Sequence, residues 1–269
     1  MVKYAFLFIV CSAALFANAA LEKANSFANT KAASSKNLVS FLFQNEDKYI
    51  DKNGSIDSIL ILKTLRDNSL LELYFKEPQE LEMTFTTQQN PLIFVRVITE
   101  SLNSMGYNFF ITKRAVKTPE EFTWTISLST QNVPNPLLLN ENFKAHGCAV
   151  LDIEKEGNNW IYKIDSRNAK IDTIPLNAKV RTNLKKPLTP YIFSITDSME
   201  TMTFWAHASD HWYPKISFYA QNLQLIKTVE QDRIAQSIKI KPPKGSAYMK
   251  VEDRYTLENI KRGLSVLVE

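Results

Sequence analysis

Glycine is scarce in this chain, 6 of 269 residues, and cysteine scarcer still, with only Cys11 and Cys148. Phosphate-cradling loops set several glycines within a few positions, so six scattered glycines build none of them. A G-x-S-x-G nucleophile elbow is also missing. Beyond residues 4–16, no apolar run approaches the roughly 20 residues of a membrane-spanning helix. Charge of one sign is in short supply too: 32 basic against 28 acidic side chains give +4. Such a balance predicts no steering toward nucleic acid or anionic membrane.

The N-terminus is the most informative stretch. Lys3 precedes an apolar run over residues 4–16, and Ala17-Asn18-Ala19 supplies the small-x-small pattern of a signal-peptidase site. The reading is a Sec-type leader, residues 1–19, cleaved after Ala19, and an exported protein without a transmembrane anchor. Phe8-Ile9-Val10 before Cys11 lack the small residues of a lipidation site. Cleavage removes Lys3 and Cys11, leaving a net charge of +3 and Cys148 as the only thiol. No intramolecular disulfide is then possible. Within His146-Gly147-Cys148-Ala149-Val150-Leu151, Cys148 reads as a buried apolar residue at a strand start, against an intermolecular disulfide or a nucleophile paired with His146.

Periodicity predicts an α+β protein: an α-β-β-α-β-β module followed by a mostly antiparallel β-sandwich. Residues 20–53 read as a mobile arm followed by a docking helix carrying Leu38, Val39, Phe41, Leu42 and Phe43. The α+β domain spans 54–131. Its helix over 56–65 shows apolar residues at helical spacing, and strands over 70–75 and 81–86 flank a turn at Glu77-Pro78-Gln79. A second helix has Asn90 as cap, Pro91 in its first turn and a stripe through Phe94, Ile98 and Leu102 to Gly106. Strands over 107–113 and 122–129 follow. The prolines of Asn132-Val133-Pro134-Asn135-Pro136 predict a domain boundary. The sandwich, 141–269, opens with a hairpin over 148–165 and continues through short strands, among them 169–176, to one late helix from Thr256 to Gly263.

The densest local feature is Phe204-Trp205-Ala206-His207-Ala208-Ser209-Asp210-His211-Trp212-Tyr213-Pro214. Its spacing suits two imidazoles on one helical face, but its flanks read as strands and no glutamate follows His207, so no metal is expected. Trp205, His207, His211 and Trp212 are the candidate ligand or partner surface, since exposed tryptophans stack on sugars or anchor proteins. The reading that weighs against this, and outweighs it, is that the tryptophans are core with the histidines on the surface beside them. Asp51 to Asp57 imitates a calcium loop but puts glycine fourth and Leu62 at the twelfth position, where a bidentate glutamate belongs. Carboxylate pairs such as Glu120-Glu121 read as solvated surface. No cofactor and no catalytic residue is expected.

Lys outnumbers Arg 24 to 8 and Asn reaches 21. This composition resembles that of low-GC Gram-negative bacteria of the Campylobacter and Helicobacter group, whose flagellar motors carry extra periplasmic disks and scaffolds. The resemblance implies a periplasmic accessory protein, possible partners being other envelope or flagellar-motor subunits. The function expected is therefore non-enzymatic, structural or adaptor. The alternative is a glycan- or peptidoglycan-binding module acting through the Trp205–Trp212 loop.

Overall fold

Leu81, Met83 and Phe85 are buried while Glu82, Thr84 and Thr86 between them are half-exposed, the period-two signature of a strand with one covered face. They belong to β1 (Tyr74–Thr87), the axis of the first of two compact units, which divide after Lys170. The computed structural model describes residues 19–28 and 32–269. The protein is α+β, with five α-helices and three sheets among the described residues.

In the first unit, β1 pairs antiparallel with β3 (Phe122–Asn132) and parallel with β5 (Asn159–Asp165). β2 (Ile111–Lys117) and β4 (Ala149–Glu156) form the edges, giving the order β2-β3-β1-β5-β4. Helices cover one face. Phe94 of α4 (Pro91–Ser104) lies edge-on to Phe122 with centroids 6.2 Å apart, and Phe143 of α5 (Pro136–Ala145) lies edge-on to Phe85 at 6.4 Å. Both helices start alike. Asn90 accepts from Leu92 N and Ile93 N, and Asn135 from Leu137 N and Leu138 N, each ahead of a proline whose missing N–H costs nothing there. α5 ends at Gly147, whose φ is +75°; a Cβ there would sit 2.2 Å from the Asn168 carbonyl oxygen, so only glycine fits.

Several expectations are corrected here. The arm after Ala19 is α1 (Ala19–Phe27), with Ala20, Ala24 and Phe27 buried and Phe27 stacked on Trp160 at 5.5 Å. Lys23 on α1 donates to Asp152 of β4 and to Ser58 Oγ (3.1 Å), the first residue of α3 (Ser58–Asp67). Ser58 Oγ in turn donates to Asp152. Apolar i, i+4, i+7 positions at 20, 24 and 27 give α1 one face to bury, and these distant partners hold it there. The docking helix is α2 (Ala33–Leu42), with Val39 buried. Glu77-Pro78-Gln79 does not turn: β1 passes through it, and its register against β3 shifts between Tyr74 and Gln79, because Pro78 has no N–H to give the ladder. The expected boundary at 132–136 is instead the cap of α5. The β4–β5 hairpin, assigned above to the sandwich, completes the first sheet. Phe85 stacks on Tyr162 at 5.3 Å, so the apolar face of Trp160, Tyr162 and Ile164 finds its cover under the helices. The leader, apart from Ala19, lies outside the described residues.

The second unit is a β-sandwich of two antiparallel four-stranded sheets. One runs β10 (Leu225–Glu230), β9 (Pro214–Tyr219), β12 (Tyr248–Asp253), β7 (Tyr191–Ser194); the other β11 (Ser237–Ile240), β8 (Met202–Ala206), β13 (Leu264–Val268), β6 (Thr182–Asn183). Phe193, Ile216, Phe218 and Met249 from one sheet share a single core with Met202, Phe204, Val266 and Val268 from the other. Residues 169–176 form no strand beyond an isolated bridge from Ile174 to Phe193. The late helix is one 3-10 turn, Leu257–Ile260, capped by Thr256 and closed by Gly263. A Cβ on Gly263 would lie 2.0 Å from the Leu184 carbonyl oxygen.

Candidate functional site

The tryptophan–histidine segment separates into residues with different tasks. Trp212 is 0% exposed, its Nε1 donating to the Glu252 carbonyl at 3.1 Å, so it is a core side chain and cannot meet a ligand. Trp205 is half-buried on β8, with the Arg181 guanidinium 4.3 Å above its ring, a cation–π contact that covers one face of the indole. His207 and His211 are exposed, and His207 Nδ1 accepts from Ser209 N at 3.1 Å. Asp210 is buried and taken by Arg262, whose N and Nη1 donate to it at 3.1 and 2.5 Å. The four residues named from the sequence therefore do not converge on one surface. Residues 51–57 form a turn: Asp51 Oδ1 accepts from Asn53 N and Ser55 N at 2.8 and 2.9 Å, which uses the oxygen a cation would need.

Cys148 is buried and unpaired by any disulfide. Burial, assisted by the nearby Asp165 charge, pushes its thiol up to about 11, the opposite of what a nucleophile needs.

The feature that sequence reasoning missed is the open edge of the first sheet. β4, at one edge, packs against α1, α3 and α5. β2, at the other, is exposed at every position except half-buried Val116. Just before and at its start stand Phe109, 91% exposed, and Ile111, 73% exposed. Between them Phe110 turns inward, its ring 5.9 Å from Trp124, whose Nε1 donates to Thr112 Oγ1 at 3.1 Å. Three successive apolar residues, Phe109-Phe110-Ile111, carry no alternation in the sequence, and the strand expected to end at 113 runs on to Lys117.

Charge lines the same edge. Lys113 Nζ donates to Glu80 Oε1 and Glu82 Oε1 at 2.8 and 2.7 Å, and Ser127 Oγ also donates to Glu80 at 2.9 Å. The Lys113 bond, then that of Ser127, holds the Glu80 carboxyl below its usual range. Arg114 and Lys117 add two further cations. Phe109, Ile111 and Glu80 border a hollow of about 710 Å³. Such an edge offers main-chain hydrogen bonds, two apolar side chains and a basic fringe, the parts used in binding an added strand.

No family model, curated protein or solved structure matches the chain. No helix among the described residues is long and apolar enough to cross a membrane.

Proposed function

We infer that this protein is a non-enzymatic adaptor of a cell-envelope assembly, working in the periplasm after removal of residues 1–19, and that it is an accessory scaffold subunit of the flagellar motor. The observation that carries the adaptor reading is the open β2 edge with Phe109 and Ile111 beside it. β2 carries three cations, Lys113, Arg114 and Lys117, and no carboxylate, so pairing it with β2 of a second copy would set like charge against like across the strands. The edge therefore favours a different chain, an extended segment with acidic side chains flanking apolar ones. The peptidoglycan-binding alternative loses support with Trp212 in the core and Trp205 under Arg181.

The test is in-cell crosslinking of the tagged full chain in its own host, with mapping of the crosslinked residues and parallel fractionation. Flagellar-motor or other envelope subunits crosslinked to residues 109–117, lost in Phe109→Ser plus Ile111→Lys, are expected. Both side chains are solvent-facing, so the double variant keeps its fold. Retention of the same crosslinked proteins by the double variant, or their attachment away from β2, would falsify the reading.

A further inference from the structure

The turn that fails as a calcium loop carries a different signal. Asn53-Gly54-Ser55 is an Asn-x-Ser tripeptide without proline, the acceptor pattern for N-linked glycosylation. No other of the 21 asparagines has serine or threonine two positions on. So short a motif recurs by chance in long chains, and its place in the fold decides whether a transferase can use it.

That place is the exposed tip of a turn. Residues 51–55 are all exposed, and the antiparallel bridge between Ile50 and Ile56 closes the turn beneath them. Asp51 N donates to the Ser55 carbonyl at 2.7 Å, and Gly54 N to the Asp51 carbonyl at 3.1 Å. Gly54 bends the chain with φ +79°, and a Cβ there would meet nothing within 4 Å, so the tip stands in open solvent. The shape is therefore held by main-chain groups and by the Asp51 carboxylate, which accepts from Asn53 N and Ser55 N. Neither the Asn53 carboxamide nor the Ser55 hydroxyl is needed for it: among the described residues Asn53 Nδ2 reaches only Asp51 Oδ2, at 3.4 Å, and Ser55 is tied through its main-chain N and carbonyl.

We propose that Asn53 is an N-glycosylation site, modified after export with an oligosaccharide delivered on a polyprenyl diphosphate. An amide nitrogen is a weak nucleophile, since its lone pair is shared with the carbonyl, so the step needs a transferase that grips the carboxamide and reads the Ser55 hydroxyl. Nδ2 bonds to C1 of the first sugar as the C1–O bond to the diphosphate breaks. The lipid diphosphate leaves with that electron pair, and Nδ2 gives one proton to a base of the transferase. A bulky, polar glycan on this tip displaces no packed side chain. The proposal rests on the export inferred above and is independent of the β2 edge.

Mass spectrometry of the full chain purified from its own host, reading the N-terminus and the peptide that holds Asn53 together, tests this. A chain beginning at Ala20 carries on that peptide a mass excess that fragments to sugar oxonium ions. Asn53→Gln and Ser55→Ala each remove the excess, and Ser55→Thr, which restores the hydroxyl, keeps it. All three substitutions fall on exposed side chains, so the fold is retained. An Asn53 that is unmodified, or merely hydrolysed to aspartate, in a chain beginning at Ala20 overturns the glycan site and leaves the export reading standing. A chain that keeps residues 1–19 overturns both. Persistence of the excess in Asn53→Gln overturns the assignment to this residue.

Discussion

In the first unit the carboxylate of Asp152 is gripped by Lys23 and Ser58 side chains arriving from 129 and 94 positions away, whereas in the second the buried Asp253 is gripped mainly by the main chain. Asp253 Oδ2 accepts from Tyr213 N at 2.7 Å, and Oδ1 from Tyr255 N, Thr256 N and Asn259 Nδ2 at 2.8, 3.0 and 3.0 Å. Main-chain donors are placed by the fold before the carboxylate arrives. They also have nowhere to go when it leaves, while a lysine can swing its ammonium into water. One grip is a corner post of the sandwich, and the other is a latch closing α1 over a sheet edge.

The largest effect tests the sandwich core against both grips. Trp212→Ala removes a fully buried indole and should cost about 4 kcal/mol in urea unfolding, the usual loss for a large aromatic. A cost under about 1 kcal/mol would mean that the two sheets do not close on it.

Asp253→Asn comes next, at about 2–3 kcal/mol, because three N–H groups lose a charged acceptor at once. Lys23→Met should cost roughly 1 kcal/mol, less than a sealed pair would, since Asp152 keeps its serine and its own main-chain donor and remains partly exposed. Equal costs for the two would erase the distinction between post and latch.

Cys148 separates burial from reactivity. Its thiol, raised from 9.0 to about 11, stays protonated at neutral pH, so alkylation by iodoacetamide should run roughly a hundredfold slower in the folded chain than in urea. Comparable rates would place the thiol at the surface. The smallest effect is at β2: Lys113→Ala breaks two exposed ion pairs and should leave the urea midpoint where it is, while changing any strand bound there.

Where sequence was read correctly, the signal was local and redundant. α4 carries a cap, a proline and an apolar stripe, all within sixteen residues, and β8 and β13 each show buried residues at alternate positions. α5 bears the same Asn-Pro start, yet two prolines nearby made it read as a linker. α1 was missed for another reason: what orders it is Asp152, Ser58 and Trp160, far along the chain, and no window centred on residue 23 contains them. The Trp205–Trp212 segment looked like a site because its residues are rare and adjacent. Only the pairing of β8 and the partners Arg181, Glu252 and Arg262 show that they point to separate places. The β2 edge escaped because exposure of an edge is a property of strand order, not of the strand.

The parallel pairing of β1 with β5 joins residues 82–86 to 159–163, and the latch of α1 waits for Asp152. Contacts so distant close slowly, since the loop entropy is spent before the pairing returns it. Synthesis proceeds at roughly 5–20 residues per second, so several seconds pass between the appearance of α1 and that of its partners. During that interval the leading segment has nothing to fold against. For the exported protein inferred above, the topology itself keeps the chain threadable through a translocation channel until the far strand has been made.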